Sequence, residues 1–183
     1  MKFIIKEKKL KTLNITQRKQ IINLVTEIQK IIKLDSMNID YEYGSRFVVS
    51  TSSTNNHHII ELYDKTEFSK GDKSELMDNK HFGLSDYFND MKISLELHYS
   101  AYYLFSTLHE FGHVDQCTLF KNPFQATMIS NATGLMLSGT KPKLNSVIRY
   151  HNLYNELYAD KFAYRWFPII WIKFNKEIIE ILK

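Results

Sequence analysis

His109 and His113 stand four residues apart with Glu110 directly after the first, in the run His109-Glu110-Phe111-Gly112-His113. In a helix that spacing puts both imidazoles on one face, where two neutral rings can bind one zinc ion. Glu110 lies beside that face and can take a proton from a metal-activated water. A third protein ligand is needed if one zinc position is left to that water. There is no HExxHxxGxxH extension, because Gln116 and Leu119 stand where its glycine and last histidine would fall. The best downstream source is Asn155-Glu156-Leu157-Tyr158-Ala159-Asp160. Glu156 and Asp160 are one helical turn apart, so the first can reach zinc while the second accepts a proton from the non-ligating nitrogen of a ligand histidine.

Other donors fit less well. Asp115 is too near His113 along the helix to swing back to the same metal, and Lys176 and Lys183 flank Glu177 and Glu180 in an ordinary amphipathic segment. His151 is a further ligand candidate or a donor to a developing oxyanion. Peptide hydrolysis needs such a donor opposite the general base, and Tyr150, His151, Tyr154 and Tyr158 lie near the third ligand while Tyr99 and Tyr102 flank the first two. His151 and Tyr154 are the preferred pair. Gly112 carries a helix-propensity penalty of about 1 kcal/mol, which is explained if a side chain there would crowd a neighbouring helix or the cleft. Ala159 would let the third-ligand helix approach closely.

These residues need elements to hold them. Ile21, Leu24, Val25, Ile28 and Ile31 recur at helical spacing and predict an amphipathic helix over Ile15–Leu34, capped by Asn14 or Thr16, after a short strand within Met1–Leu10. Two β-like runs, Ile39–Ser50 and His57–Asp64, are expected to pair antiparallel across a polar connection. Asp64–Lys80 reads as a surface excursion. Alternation over Ile93–Tyr99 predicts a half-buried strand, and Ser100 can cap an HExxH helix running from Ala101 to about Cys117. Helices are then expected over Phe124–Leu137, over Ser146–Phe167, and, after an interruption or kink at Pro168, over Ile169–Leu182.

The 183 residues suit one domain, and 44% hydrophobic with 24% charged residues exclude disordered and collagen-like classes. Cys117 is the only cysteine, which rules out an intramolecular disulfide and an all-cysteine zinc site and points to a reducing compartment. It is a poor nucleophile candidate, since the nearest histidine, His113, is committed to the metal. Residues 1–33 hold nine basic side chains against two acidic ones within a net charge of +4, but lack the interleaved aromatics of base recognition, so no specific nucleic-acid partner is expected. Lysines break the apolar start MKFIIKEKKLK, so no secretory segment is expected there. The run WFPIIWIKF is less than half the length needed to cross a bilayer. A cytoplasmic protein, or one carried inside a larger particle, is expected; oligomeric state does not follow from the sequence.

His109-Glu110-x-x-His113 followed by Asn155-Glu156-x-x-x-Asp160 resembles the gluzincin class of zinc metallopeptidases. The run Glu156-Leu-Tyr-Ala-Asp-Lys-Phe-Ala163 also resembles the helix after the motif in small bacterial and phage peptidases of the ImmA/IrrE-like group, which are associated with cleaving repressors or regulators. The resemblance spans His109 to Asp160. It implies His109, His113 and Glu156 as zinc ligands, Glu110 as general base and Asp160 as the carboxylate that orients a ligand histidine. The expected fold is α+β: a compact zincin-like domain over residues 1–183, with a small, mostly antiparallel sheet, an HExxH helix and a helical C-terminal half. A basic strand-helix unit and the sheet would occupy residues 1–99, and the active-site helices 100–183. The expected function is zinc-dependent cleavage of a peptide or protein substrate. Two alternatives stay open: a non-catalytic zinc-containing binding or virion structural protein, in which His98 or His151 closes the metal site, and a zinc hydrolase of a non-peptide amide or ester.

Overall fold

Asn14 starts the first helix. Its side chain accepts from the Gln17 amide at 2.9 Å while Gln17 Oε1 accepts from the Asn14 amide at 3.0 Å, a reciprocal cap of the kind that satisfies two orphan donors at once. The computed structural model describes residues 11–44, 48–52, 57–67, 83–119 and 154–183. Within them α1 spans Ile15–Ile31 and buries Ile21, Leu24, Val25 and Ile28, the stripe expected from their spacing. Lys33, at φ 64°, turns the chain out of the helix.

Three strands follow: β1 (Asn38–Gly44), β2 (Val48–Ser52) and β3 (His57–Tyr63), in the order β1-β3-β2. β2 and β3 form the expected antiparallel pair, with Val48 opposite Glu61 and Ser52 opposite His57. The expected run Ile39–Ser50 is two strands rather than one, and β1 lies parallel to β3, from Asn38 opposite His57 to Gly44 opposite Tyr63. β3 takes the centre and turns one face into the core, burying Ile60 and Leu62 with His58.

Helix α2 (Leu84–Asp90) buries Leu84 and Phe88 and ends before Lys92, at φ 59°. The strand expected over Ile93–Tyr99 does not form. Leu95–Leu97 is a single 3₁₀ turn and α3 (His98–Leu119) begins at His98, so Ser100 lies inside the helix rather than capping it. Alternation over so few residues is weak evidence, and it pointed the wrong way: Ile93 is buried but Leu95 is 66% exposed, so the apolar residues do not share one covered face. His98 instead turns inward, its ring 5.5 Å from that of Phe88 and its Nε2 3.2 Å from the Ile93 carbonyl oxygen.

α3 is the central element. From Ser100 to Gly112 every residue is buried, which a helix achieves only when covered on all sides. β2, β3, α2 and the 3₁₀ turn pack against it, and α4 (Tyr154–Leu182) lies along it. Pro168 sits inside α4 without ending it, contrary to an interruption there. Burial of Phe167, Ile170, Trp171, Phe174 and Ile178 along one face outweighs the one lost backbone bond. Gln17 Nε2 donates to the Ile181 carbonyl at 2.6 Å, tying the start of α1 to the end of α4. The N-terminal strand, the helix over Phe124–Leu137, the segment 146–153 and most of the 64–80 excursion lie outside the described residues. No helix among the described residues is long and apolar enough to cross a membrane.

Candidate metal centre

Gly112 sets how closely α3 and α4 meet. A Cβ built there would lie 2.7 Å from Ala159 Cα and 3.0 Å from both the Ala159 carbonyl oxygen and Phe162 Cβ. The two small residues therefore bring the helix backbones together at the height of the motif, the close approach expected of Gly112 and Ala159. Passing along α3 from His109 to His113, the facing residues on α4 run backward from Asp160 to Glu156.

Three donors converge at this contact. His113 Nε2 lies 3.1 Å from His109 Nε2, His109 Nε2 3.3 Å from Glu156 Oε2, and His113 Nε2 3.6 Å from Glu156 Oε1. Ligands on one tetrahedral zinc ion, with bonds of about 2.0–2.1 Å, stand roughly 3.3 Å apart, so the spacing fits that ion. Chemistry agrees, since two imidazole nitrogens and one carboxylate are the donors zinc takes at sites that keep a place for water. His109, His113 and Glu156 are the one such metal-binding group among the described residues. His109 and Glu156 are 2% and 3% exposed, and Glu110 is 4% exposed, so the charges are largely out of water.

Asp160 completes the constellation. Its Oδ1 lies 2.8 Å from His109 Nδ1. A carboxylate only accepts, so Nδ1–H donates to it, and the neutral ring then turns the Nε2 lone pair toward His113 and Glu156. Burial by itself would lower the His109 pKa, but the hydrogen bonds to Asp160 and Glu156 and the charges of Glu110 and Glu156 outweigh it and raise it to about 9. Burial likewise opposes ionisation of Glu156, yet the two histidines hold its carboxyl well below the usual range. The metal-free site thus binds a proton where a cation would go.

The other sequence candidates sort themselves. His98 starts α3 three turns, about 16 Å, before His109, with its Nε2 at the Ile93 carbonyl, so it does not close the metal site. Tyr99 donates its hydroxyl to the Lys65 carbonyl and Tyr158 donates to Asp115 Oδ2 at 2.5 Å, so both hydroxyl protons are engaged within the protein. Glu177 and Glu180 are exposed near the far end of α4, and Glu180 pairs with Lys183. Tyr154 is the first residue of α4, while His151 lies outside the described residues.

Two contacts were not foreseen. Asp115 and Tyr158, each two residues from a metal ligand, bridge α3 and α4. Asn155 Nδ2 donates to Glu156 Oε1 at 2.9 Å. The only sequence signal for the second was an amide directly before the third ligand. Gln116 Nε2 and Asn155 Oδ1 are buried with no hydrogen-bond partner among the described residues.

Together the paired histidines, the facing carboxylate and the aspartate behind His109 make an HExxH metal site of the zincin type, built for zinc. Comparison with protein-family models, curated proteins and solved structures found no match, so the class rests on the geometry of the site.

Proposed function

We infer that this protein is a zinc-dependent endopeptidase. The observation that carries the reading is the convergence of His109, His113 and Glu156 on one point, with Asp160 fixing the tautomer of His109. When bound, zinc supplies a Lewis acid that acidifies water and polarises a carbonyl oxygen. Glu110, next to His109 on α3, accepts the proton of the attacking water and passes it to the leaving amine, so no covalent enzyme intermediate forms. Asp160 keeps His109 Nδ1 protonated and stabilises positive charge on that ring. His151 or Tyr154 donates to the developing oxyanion. The sheet supports a peptide substrate: among the described residues β2 is an edge strand and lies against α3, a place where an extended chain can add.

Peptide hydrolysis that stops when zinc is removed by a chelator, returns when zinc is restored, and is blocked by a peptide hydroxamate would support this reading. Turnover of a randomised peptide pool by fully metal-free protein would refute it, and turnover confined to non-peptide amides or esters would move the function to that alternative.

A further inference from the structure

Glu156 faces the two histidines with both of its oxygens, Oε2 toward His109 at 3.3 Å and Oε1 toward His113 at 3.6 Å. A carboxylate presented this way could give a cation one oxygen or two. The choice decides whether a coordination place is left for water, which separates an open catalytic site from a closed one. What distinguishes the two oxygens is Asn155, whose Nδ2 donates to Oε1 at 2.9 Å. The amide cannot be turned around, because Glu156 only accepts and the nitrogen must face it.

The contact is not an ordinary helix pair. Adjacent residues on a helix point away from each other, yet the Asn155 amide curls back onto its neighbour. It does so while 8% exposed and with Oδ1 buried and unmatched among the described residues. Among the described residues Oε2 has no amide donor of this kind.

Resting on the metallopeptidase reading, we propose that Asn155 makes Glu156 a one-oxygen ligand and so keeps the fourth coordination place of the metal open. Coordination through Oε2 leaves the amide hydrogen bond intact, whereas bringing Oε1 onto the metal as well makes that oxygen divide its lone pairs between the amide and the cation and so weakens the bond. Asn155 is therefore a positioning residue: it acts through Glu156 and sets the coordination number.

The test uses the full chain loaded with cobalt(II), whose visible absorption is several-fold stronger at four-coordinate than at five- or six-coordinate sites. Wild-type protein should show the intense four-coordinate bands. Asn155→Leu, similar in size but without a donor, and Asn155→Ala should each bind cobalt with absorptivity lowered several-fold. Wild-type bands retained in a cobalt-loaded variant would overturn the proposal, as would a wild-type site that is already five-coordinate. Infrared difference spectra of zinc-loaded against metal-free wild type read the same point without a substitution: a wide splitting of the carboxylate stretches supports one-oxygen binding, and a narrow one refutes it. Failure of wild-type protein to bind either metal would instead remove the metallopeptidase reading, and this inference with it.

Discussion

Gly112→Ala separates the metal site from the fold that carries it. The added methyl would meet Ala159 Cα at 2.7 Å and the Ala159 carbonyl oxygen at 3.0 Å, and neither is a flexible side-chain end that can swing aside. Restoring ordinary contact at about 3.7 Å requires α3 and α4 to part by roughly 1 Å. Overpacking of this kind costs about 1–3 kcal/mol, while replacing a helix-interior glycine by alanine returns about 1 kcal/mol. Stability of the metal-free protein should therefore fall by no more than about 2 kcal/mol. The metal site has no such offset. Its donors come from both helices at 3.1–3.6 Å from one another, and metal–ligand bonds tolerate only about 0.2 Å. Zinc affinity should drop by at least about tenfold, close to 1.4 kcal/mol, and more if Glu156 is lost as a ligand. Thermal unfolding of metal-free protein and competition with a chelator at fixed pH measure the two terms separately. Wild-type zinc affinity in a folded Gly112→Ala variant would refute the claim that this contact sets the donor spacing.

Asp160→Ala should keep all three ligands but remove the partner of His109 Nδ1, weakening zinc affinity roughly 10–100-fold, less than Glu156→Ala in the same titration; the reverse order would mean that the two carboxylates have exchanged roles. Metal-free protein should lose stability between pH 6.5 and 9, because the His109 pKa is raised from 6.5 to about 9 and its contribution is complete below 6.5 and lost as pH rises through 9. Glu156, with its pKa lowered from 4.5, contributes above that value and its share is lost as pH falls. Melting curves of chelator-treated protein at pH 6 and 9.5 test the upper limb, and equal midpoints would contradict it.

The chemistry was more legible in the sequence than the elements around it. His109, Glu110 and His113 announce themselves because residue type and a four-residue spacing together specify one helical face, and Glu156 with Asp160 repeats that spacing on a second helix. Gly112 and Ala159 were readable as a close approach because a glycine inside a helix is unfavourable without a packing reason. The segment Ile93–Tyr99 misled, since a two-residue period over a short window does not reveal whether tertiary packing will cover it; the inward turn of His98 onto Phe88 favours an early helix start. The parallel placement of β1 beside β3 depends on how the chain crosses between strands, which periodicity does not encode. The hydrogen bonds of Asn155 and Asp115 depend on side-chain direction at the α3–α4 contact, information that spacing alone lacks.

Glu110→Gln tests the proposed chemistry most directly, because the amide matches the carboxylate in shape but cannot take up the proton of the attacking water. Zinc content, helical content and peptide turnover should be measured on the same preparations of wild type and variant. The expected result is about one zinc per chain in both, an unchanged fold, and hydrolysis in the wild type alone. Wild-type turnover by zinc-loaded Glu110→Gln would contradict the mechanism.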